Sequence, residues 1–135
     1  MSDLAANKSV VQAFYAEVIN GRDPNAVDRL LTDDFTHDDE QRGRAGQKVA
    51  VQAFLDGFSD LHNTVDQLVA EADLVAARQT WRGTHDGEFA GVAATGRTVE
   101  FGSTAILRVR DGMIAAAWDQ VDVAGLMKQL TPSTR

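Results

Sequence analysis

The chain has 135 residues, with 13 Lys and Arg against 20 Asp and Glu for a net charge of −7, 44% apolar residues, two prolines and no cysteine. A chain of this length buries roughly 68% of the surface its unfolded form exposes, enough for one domain, 1–135, with a core and a ligand cavity, so disorder and coiled coil are poor readings. The acidic balance argues against a nonspecific grip on nucleic acid or anionic membrane, the missing cysteines remove thiol, disulfide and zinc-knuckle chemistry, and no run approaches a ~20-residue apolar span or a secretion signal, so a cytoplasmic protein is expected.

Val10, Val11, Phe14, Tyr15 and Val18 gather on one stripe and predict a first helix that ends at Gly21. Asp23-Pro24 reads as an N-cap with proline at the first helical position, opening a short helix with Val27, Leu30 and Leu31 on its apolar side. Val51, Phe54, Leu55 and Phe58 predict a third helix between Arg44 and Phe58. The period then changes to two, with strands expected near 64–71, 74–85, 97–110 and 113–121. Asp111-Gly112 between the last two has the pattern of a two-residue hairpin loop, and Glu71-Ala72-Asp73 is a weaker hairpin signal. Val123, Leu126, Met127 and Leu130 close the chain with an amphipathic helix, capped by Asp122, before a polar tail. Helices first and antiparallel strands afterwards predict an α+β domain in which helices cover one face of a curved sheet, with a cavity between the layers.

Alternation assigns Val99, Phe101, Ser103, Ala105 and Leu107 to the inner face of the 97–110 strand. In the last strand Met113, Ala115, Ala117, Asp119 and Val121 share one face and Ile114, Ala116, Trp118 and Gln120 the other. Both faces are mostly apolar, so period alone leaves the direction of Asp119 open. A carboxylate among alanines, methionine and valine has little to do with solubility. Burial there would raise its pKa and suit it to removing a proton next to a carbonyl. The alternative is an acid at a strand end, bonded to nearby backbone or capping the last helix.

The run from Asp33 to Glu40 holds five carboxylates and His37, but it lacks the glycine and distant glutamate of a calcium loop and reads as a solvated loop rather than a metal site. His37 is separable from that run, because it lies on the same side of an extended segment as Phe35. If Phe35 faces the core, an imidazole enters the cavity. Otherwise it is a hydrogen-bonded structural residue. His62 and His85 read as structural. Trp81, Trp118, Tyr15, Phe14, Phe54, Phe58 and Phe101 form either an aromatic substrate cage or ordinary core. Phosphate-cradling glycine loops, His-Glu-x-x-His and Gly-x-Ser-x-Gly do not occur.

Asn7-Lys8 with Phe14-Tyr15, the Asn20 to Asp23 link, Leu31 to Phe35, Gly83 to Phe89 with Thr95 to Arg97, and Asp111-Gly112 followed by Trp118-Asp119 and Asp122 run nearly the length of the chain. This string resembles the SnoaL-like polyketide cyclases, in the superfamily of nuclear-transport-factor-two-like and ketosteroid-isomerase-like folds. The resemblance implies a cone-shaped, bent mixed or antiparallel sheet, wrapped by N-terminal helices around an apolar pocket as an α+β barrel. It implies that Asp119 points into the pocket as the acid/base of an intramolecular aldol reaction on an apolar polycyclic carbonyl compound, with no cofactor and no metal. His37 falls where the cyclases carry a polar pocket residue. The positions of Ser103, Phe101, Ala105, Ala117, Phe58, Phe54, Trp81 and Tyr15 would form the substrate site. This chain departs from the pattern at Ala117, where relatives often have histidine, and at Ala105, leaving Ser103 as the polar residue there. Related hydroxylase, isomerase or dehydratase chemistry, or binding without catalysis, are the alternatives. A homodimer paired through the outer sheet face, or a tetramer, is the expected assembly.

Overall fold

The computed structural model describes residues 3–131. Helix α1 (Leu4–Ala13) runs directly into a π-helical stretch, Phe14–Asn20, and a 3₁₀ turn, Pro24–Ala26, leads into α2 (Val27–Leu30). Then follow β1 (Leu31–His37), β2 (Glu40–Gln41), α3 (Gly43–Gly57), β3 (His62–Glu71), β4 (Leu74–Thr84), β5 (Thr98–Arg110), β6 (Met113–Val121) and α4 (Val123–Leu130). Three aspartates start helical segments by accepting a backbone N–H: Asp3 from Ala6, Asp23 from Asn25 and Asp122 from Gly125. The first predicted helix therefore exists, but its second half is π-helical, with Gly21 N–H donating to the Ala16 carbonyl and Asp23 N–H to that of Val18. This segment buries Phe14, Tyr15, Val18 and Ile19 together.

The six strands form one curved, open sheet in the order β2-β1-β6-β5-β4-β3, antiparallel except where β1 runs parallel to β6. It has free edges at β2 and β3 and so is not closed into a barrel. The β5–β6 turn is the two-residue hairpin read from Asp111-Gly112. Both residues adopt positive φ, 53° and 79°, the conformation that Asp-Gly accepts most readily.

Strand β5 alternates strictly, with Val99, Phe101, Ser103, Ala105, Leu107 and Val109 buried and the residues between them exposed. Strand β6 does not. Its register slips between Arg108 paired with Ala116 and Val109 paired with Ile114. This bulge reverses which side chains face inward, so Ile114, rather than Met113 or Ala115, enters the core. Beyond it Ala117, Asp119 and Val121 stand beside the inward-facing Leu107, Ala105 and Ser103.

The core lies between the inner sheet face and the N-terminal helices, where Val11, Val18, Val27, Val51 and Leu55 are buried with Phe35, Val75, Leu107 and Ile114. Helix α4 adds Leu126 and Leu130 to it, and its Gln129 side chain binds both the N–H and the carbonyl of Glu100 on β5. Each fully buried leucine of this kind contributes about 1.5–3 kcal/mol. Two reciprocal contacts tie the α3–β3 turn to the end of β4. Ser59 donates from its N–H and hydroxyl to Asp86, and Thr84 does the same to Asp60. These bonds hold both carboxyls below the usual aspartate range. Among the described residues no helix is long and apolar enough to cross a membrane.

Candidate active site

The parallel pairing of β1 and β6 sets His37 directly beside Ala117. Phe35 is buried in the core, and His37, two residues on, points the same way. Asp119 lies two residues beyond Ala117 on β6, and His37 Nε2 is 2.7 Å from its Oδ2. Facing an acceptor carboxylate at that distance, the ring N–H donates. The other ring nitrogen, Nδ1, is 3.4 Å from Asp38 Oδ2. The His37 and Asp119 side chains retain 16% and 31% of their surface, so the pair is reachable from one side. Asp119 is thus partly open and bonded to histidine, rather than desolvated among apolar neighbours as its strand face suggests.

The acidic run is more than a solvated loop. Asp38 and Asp39 turn the chain through positive φ, 50° and 70°. Asp38 Oδ1 accepts the Asp119 N–H at 3.1 Å and Asp39 Oδ1 accepts the Trp118 indole N–H at 2.9 Å. Asp34 is bound by the Arg110 guanidinium at 2.7 Å, which holds its carboxyl below the ordinary value. Among the described residues no three His, Asp or Glu side chains converge as a metal site.

A cavity of about 460 Å³ lies between the inner sheet face, the π-helical stretch and α3. Of the residues expected from sequence, His37, Asp119, Ser103, Phe101, Phe54, Trp81 and Tyr15 line it. Three others do not. Ala117 lines only a recess of about 30 Å³ behind the His37–Asp119 pair. Ala105 is the cross-strand partner of Asp119, buried beside it without reaching the cavity. Phe58 is fully buried between Phe89 and His85, with ring centres 5.2 and 5.5 Å away, because the end of α3 turns it under the 85–97 loop. Phe14 joins the wall. Trp118 faces outward beneath the Arg108 guanidinium, 5.5 Å from the ring centre. His62 is exposed, and His85 is buried with Nδ1 2.9 Å from the Thr95 hydroxyl.

The aromatic wall is ordered. Trp81 and Phe101 are cross-strand partners with rings 6.0 Å apart and 2° from parallel, and Phe54 stacks on Trp81 at 6.0 Å. Behind this wall the Trp81 indole N–H donates to Ser103 Oγ at 2.8 Å, and Ser103 donates to Gln79 Oε1 at 3.3 Å. Asn63 Nδ2 donates to the same Gln79 oxygen at 3.0 Å, and the Asn63 backbone is held by the Asn20 amide at 2.7 and 2.9 Å. Burial first, and the Asp119 charge second, keep the Tyr15 phenol protonated far above its ordinary range, with the neighbouring Gln79 amide opposing. Chemically the cavity offers a carboxylate base, an imidazole and a phenolic O–H between flat apolar walls.

Sequence reading missed Gln79, Asn63, Asp38, Arg42 and Gln47. Gln79 carried a signal, since it shares strand parity with Val75, Ala77 and Trp81. Arg42, which lines the cavity and donates to Gln47 at 3.0 Å, sits at an irregular helix start where no periodicity applies.

Among curated proteins, none matches the chain. Among solved structures it is similar to TsrD from Streptomyces laurentii, 32% identical, covering 98% of this chain and 100% of that one, with a TM-score of 0.89. It is similar to AclR from Streptomyces galilaeus, a candidate hydroxylase, at 28% identity, 98% and 87% coverage and a TM-score of 0.87. IdmH from Streptomyces antibioticus, a candidate polyketide cyclase, is 30% identical over 92% of this chain and 97% of that one, with a TM-score of 0.82. The model of the SnoaL-like polyketide cyclases matches residues 9–130, and the chain belongs to that family.

Proposed function

We propose that the protein is a cofactor-independent acid/base enzyme that closes a ring by intramolecular aldol addition in an apolar, polycyclic carbonyl compound. The observation that carries this reading is the His37–Asp119 contact of 2.7 Å at the wall of an aromatic-lined cavity. Asp119 takes a proton from the carbon next to a carbonyl, and the C–H electron pair becomes the enolate π bond. The enolate carbon attacks a second carbonyl carbon of the same molecule. A C–C bond forms, and that carbonyl oxygen becomes an alkoxide, which recovers the proton from Asp119. His37 stabilises the carboxylate by its hydrogen bond and orients it. The Tyr15 O–H is available to the enolate oxygen, and the parallel Trp81 and Phe101 rings suit a flat substrate.

Asp119→Asn preserves size while removing the base, and it should lower kcat by about 10²–10⁴-fold. The measurement is turnover of a ring-open polyketide carbonyl substrate, with binding followed by tryptophan fluorescence. An Asp119→Asn variant that bound normally and still turned over at the wild-type rate would sink the mechanism. The likeness to AclR supports a second reading, hydroxylase-type chemistry in the same cavity. Product mass separates the two, since cyclisation leaves mass unchanged and hydroxylation adds one oxygen.

A further inference from the structure

One cation lines the cavity without a counterion. Of the lining residues only His37 and Arg42 can carry positive charge, and His37 is taken up by carboxylates on both sides, Asp119 at 2.7 Å and Asp38 at 3.4 Å. Among the described residues no carboxylate comes within ion-pair distance of the Arg42 guanidinium. Its position is nevertheless fixed. The Arg42 backbone N–H donates to the Phe35 carbonyl at 3.1 Å, and Nη1 donates to Gln47 Oε1 at 3.0 Å. Between these anchors the aliphatic stem lies over Gly46, four residues on in α3, so closely that a methyl group at 46 would stand 2.7 Å from Arg42 Cγ. That seat exists because residue 46 has no side chain. A half-buried guanidinium held in this way, in a chain of net charge −7 and with two aspartates on the same cavity wall, leaves its charge unanswered. With Nη1 engaged, the Nε and Nη2 N–H groups remain, the fork that meets both oxygens of a carboxylate in one plane.

We propose that Arg42, seated on Gly46, binds a carboxylate of the substrate, so that the cavity takes a flat, apolar ring system bearing one ionised acid group. The walls supply the rest of the recognition, since Trp81, Phe101 and Phe54 present aromatic surface to the rings. Stacking alone leaves a flat molecule free to slide and to turn end for end. A single charged contact at one end gives it a direction. This deepens the proposed function by naming the acid group of its substrate, and it rests on that reading only for the reaction that follows binding. Arg42 is then a specificity-determining residue, and Gly46 positions it without touching the ligand.

Equilibrium dialysis of 2-naphthoate and 2-naphthamide against the protein at neutral pH tests this, because the two probes match in shape and differ in charge. The sign of the preference is informative. Without a free cation, Asp38, Asp119 and the overall negative charge favour the neutral amide. The wild-type protein should bind the acid about tenfold tighter than the amide, as a charge-assisted bond provides, and by less as salt is added. Arg42→Gln should reverse the order while leaving amide affinity unchanged, and Arg42→Lys should keep part of the preference. Gly46→Ala should lose most of it although alanine is the better helix former, with circular dichroism showing the helices retained. A wild-type protein that binds both probes alike, prefers the amide or takes up neither overturns the proposal, as does an Arg42→Gln protein that still prefers the acid. Unchanged selectivity in Gly46→Ala overturns it too, since the seat would then not aim the guanidinium. No turnover is measured, so failure of Asp119 as the base would leave this result standing, and failure here would leave the base standing.

Discussion

Ala117 decides more about the site than its size suggests. It is buried beside His37 in one direction and Leu107 in the other, and it shares with His37 and Asp119 the lining of the small recess behind their contact. Here the imidazole is supplied from the neighbouring strand, and a larger residue at 117 would displace it. Ala117→Leu should therefore lower stability by about 1–3 kcal/mol through overpacking. It should also separate His37 from Asp119, bringing turnover down toward that of Asp119→Asn. Urea denaturation reads the first effect, and the His37 ring nitrogen shifts in NMR read the second. Unchanged ring shifts would show that Ala117 is a spectator. The two members of the pair were each legible in sequence, Asp119 by its apolar strand neighbours and His37 by its parity with Phe35. Their contact was not, because it depends on a parallel pairing between segments 82 positions apart, which no local pattern encodes.

At the scale of elements, strand β5 could be read almost to the residue, since its alternation of buried and exposed side chains is unbroken. Strand β6 could not, because the bulge before Ala117 breaks the period that such reading depends on. The α4 start shows the opposite case, where one side chain announces an element. Asp122 accepts the Gly125 N–H at 2.9 Å, and the flanking Val121 and Val123 line the cavity. Asp122→Ala should cost about 1 kcal/mol, within the usual range for a lost N-cap. The urea midpoint should fall with no change in slope. Because the loosened turn borders the cavity, quenching of Trp81 by added iodide, read in a Trp118→Phe background, should also increase. An unchanged midpoint would mean that packing of Leu126 and Leu130 alone holds α4 in place.

Over the whole molecule, the outer sheet face carries a row of apolar side chains in register across four strands. Val69 pairs with Ala76, Ala76 with Ile106, and Ile106 with Trp118. Val69 and Ile106 keep 64% and 44% of their surface exposed. A continuous apolar band of this kind, on a chain with seven excess negative charges, is the surface we propose for pairing two copies back to back. Sedimentation velocity at micromolar concentration should show a dimer, and Ile106→Asp should shift it to monomer with the fold intact. A wild-type monomer across that range would remove the proposal.

The parallel seam between β1 and β6 also fixes when the protein becomes competent. His37 is synthesised before its partner strand, which ends at Val121, and Asp119 follows it by 82 positions. The seam joins these distant segments, and closing so long a loop is slow. During synthesis α1 to α3 and the β3–β5 meander can form while the imidazole still has no carboxylate to meet. In a refolding experiment the recovery of turnover should therefore follow the last structural phase, with helical signal returning first. The His37–Asp119 contact is in that sense a proofreading device for the fold, because it exists only in a chain whose distant segments have found each other.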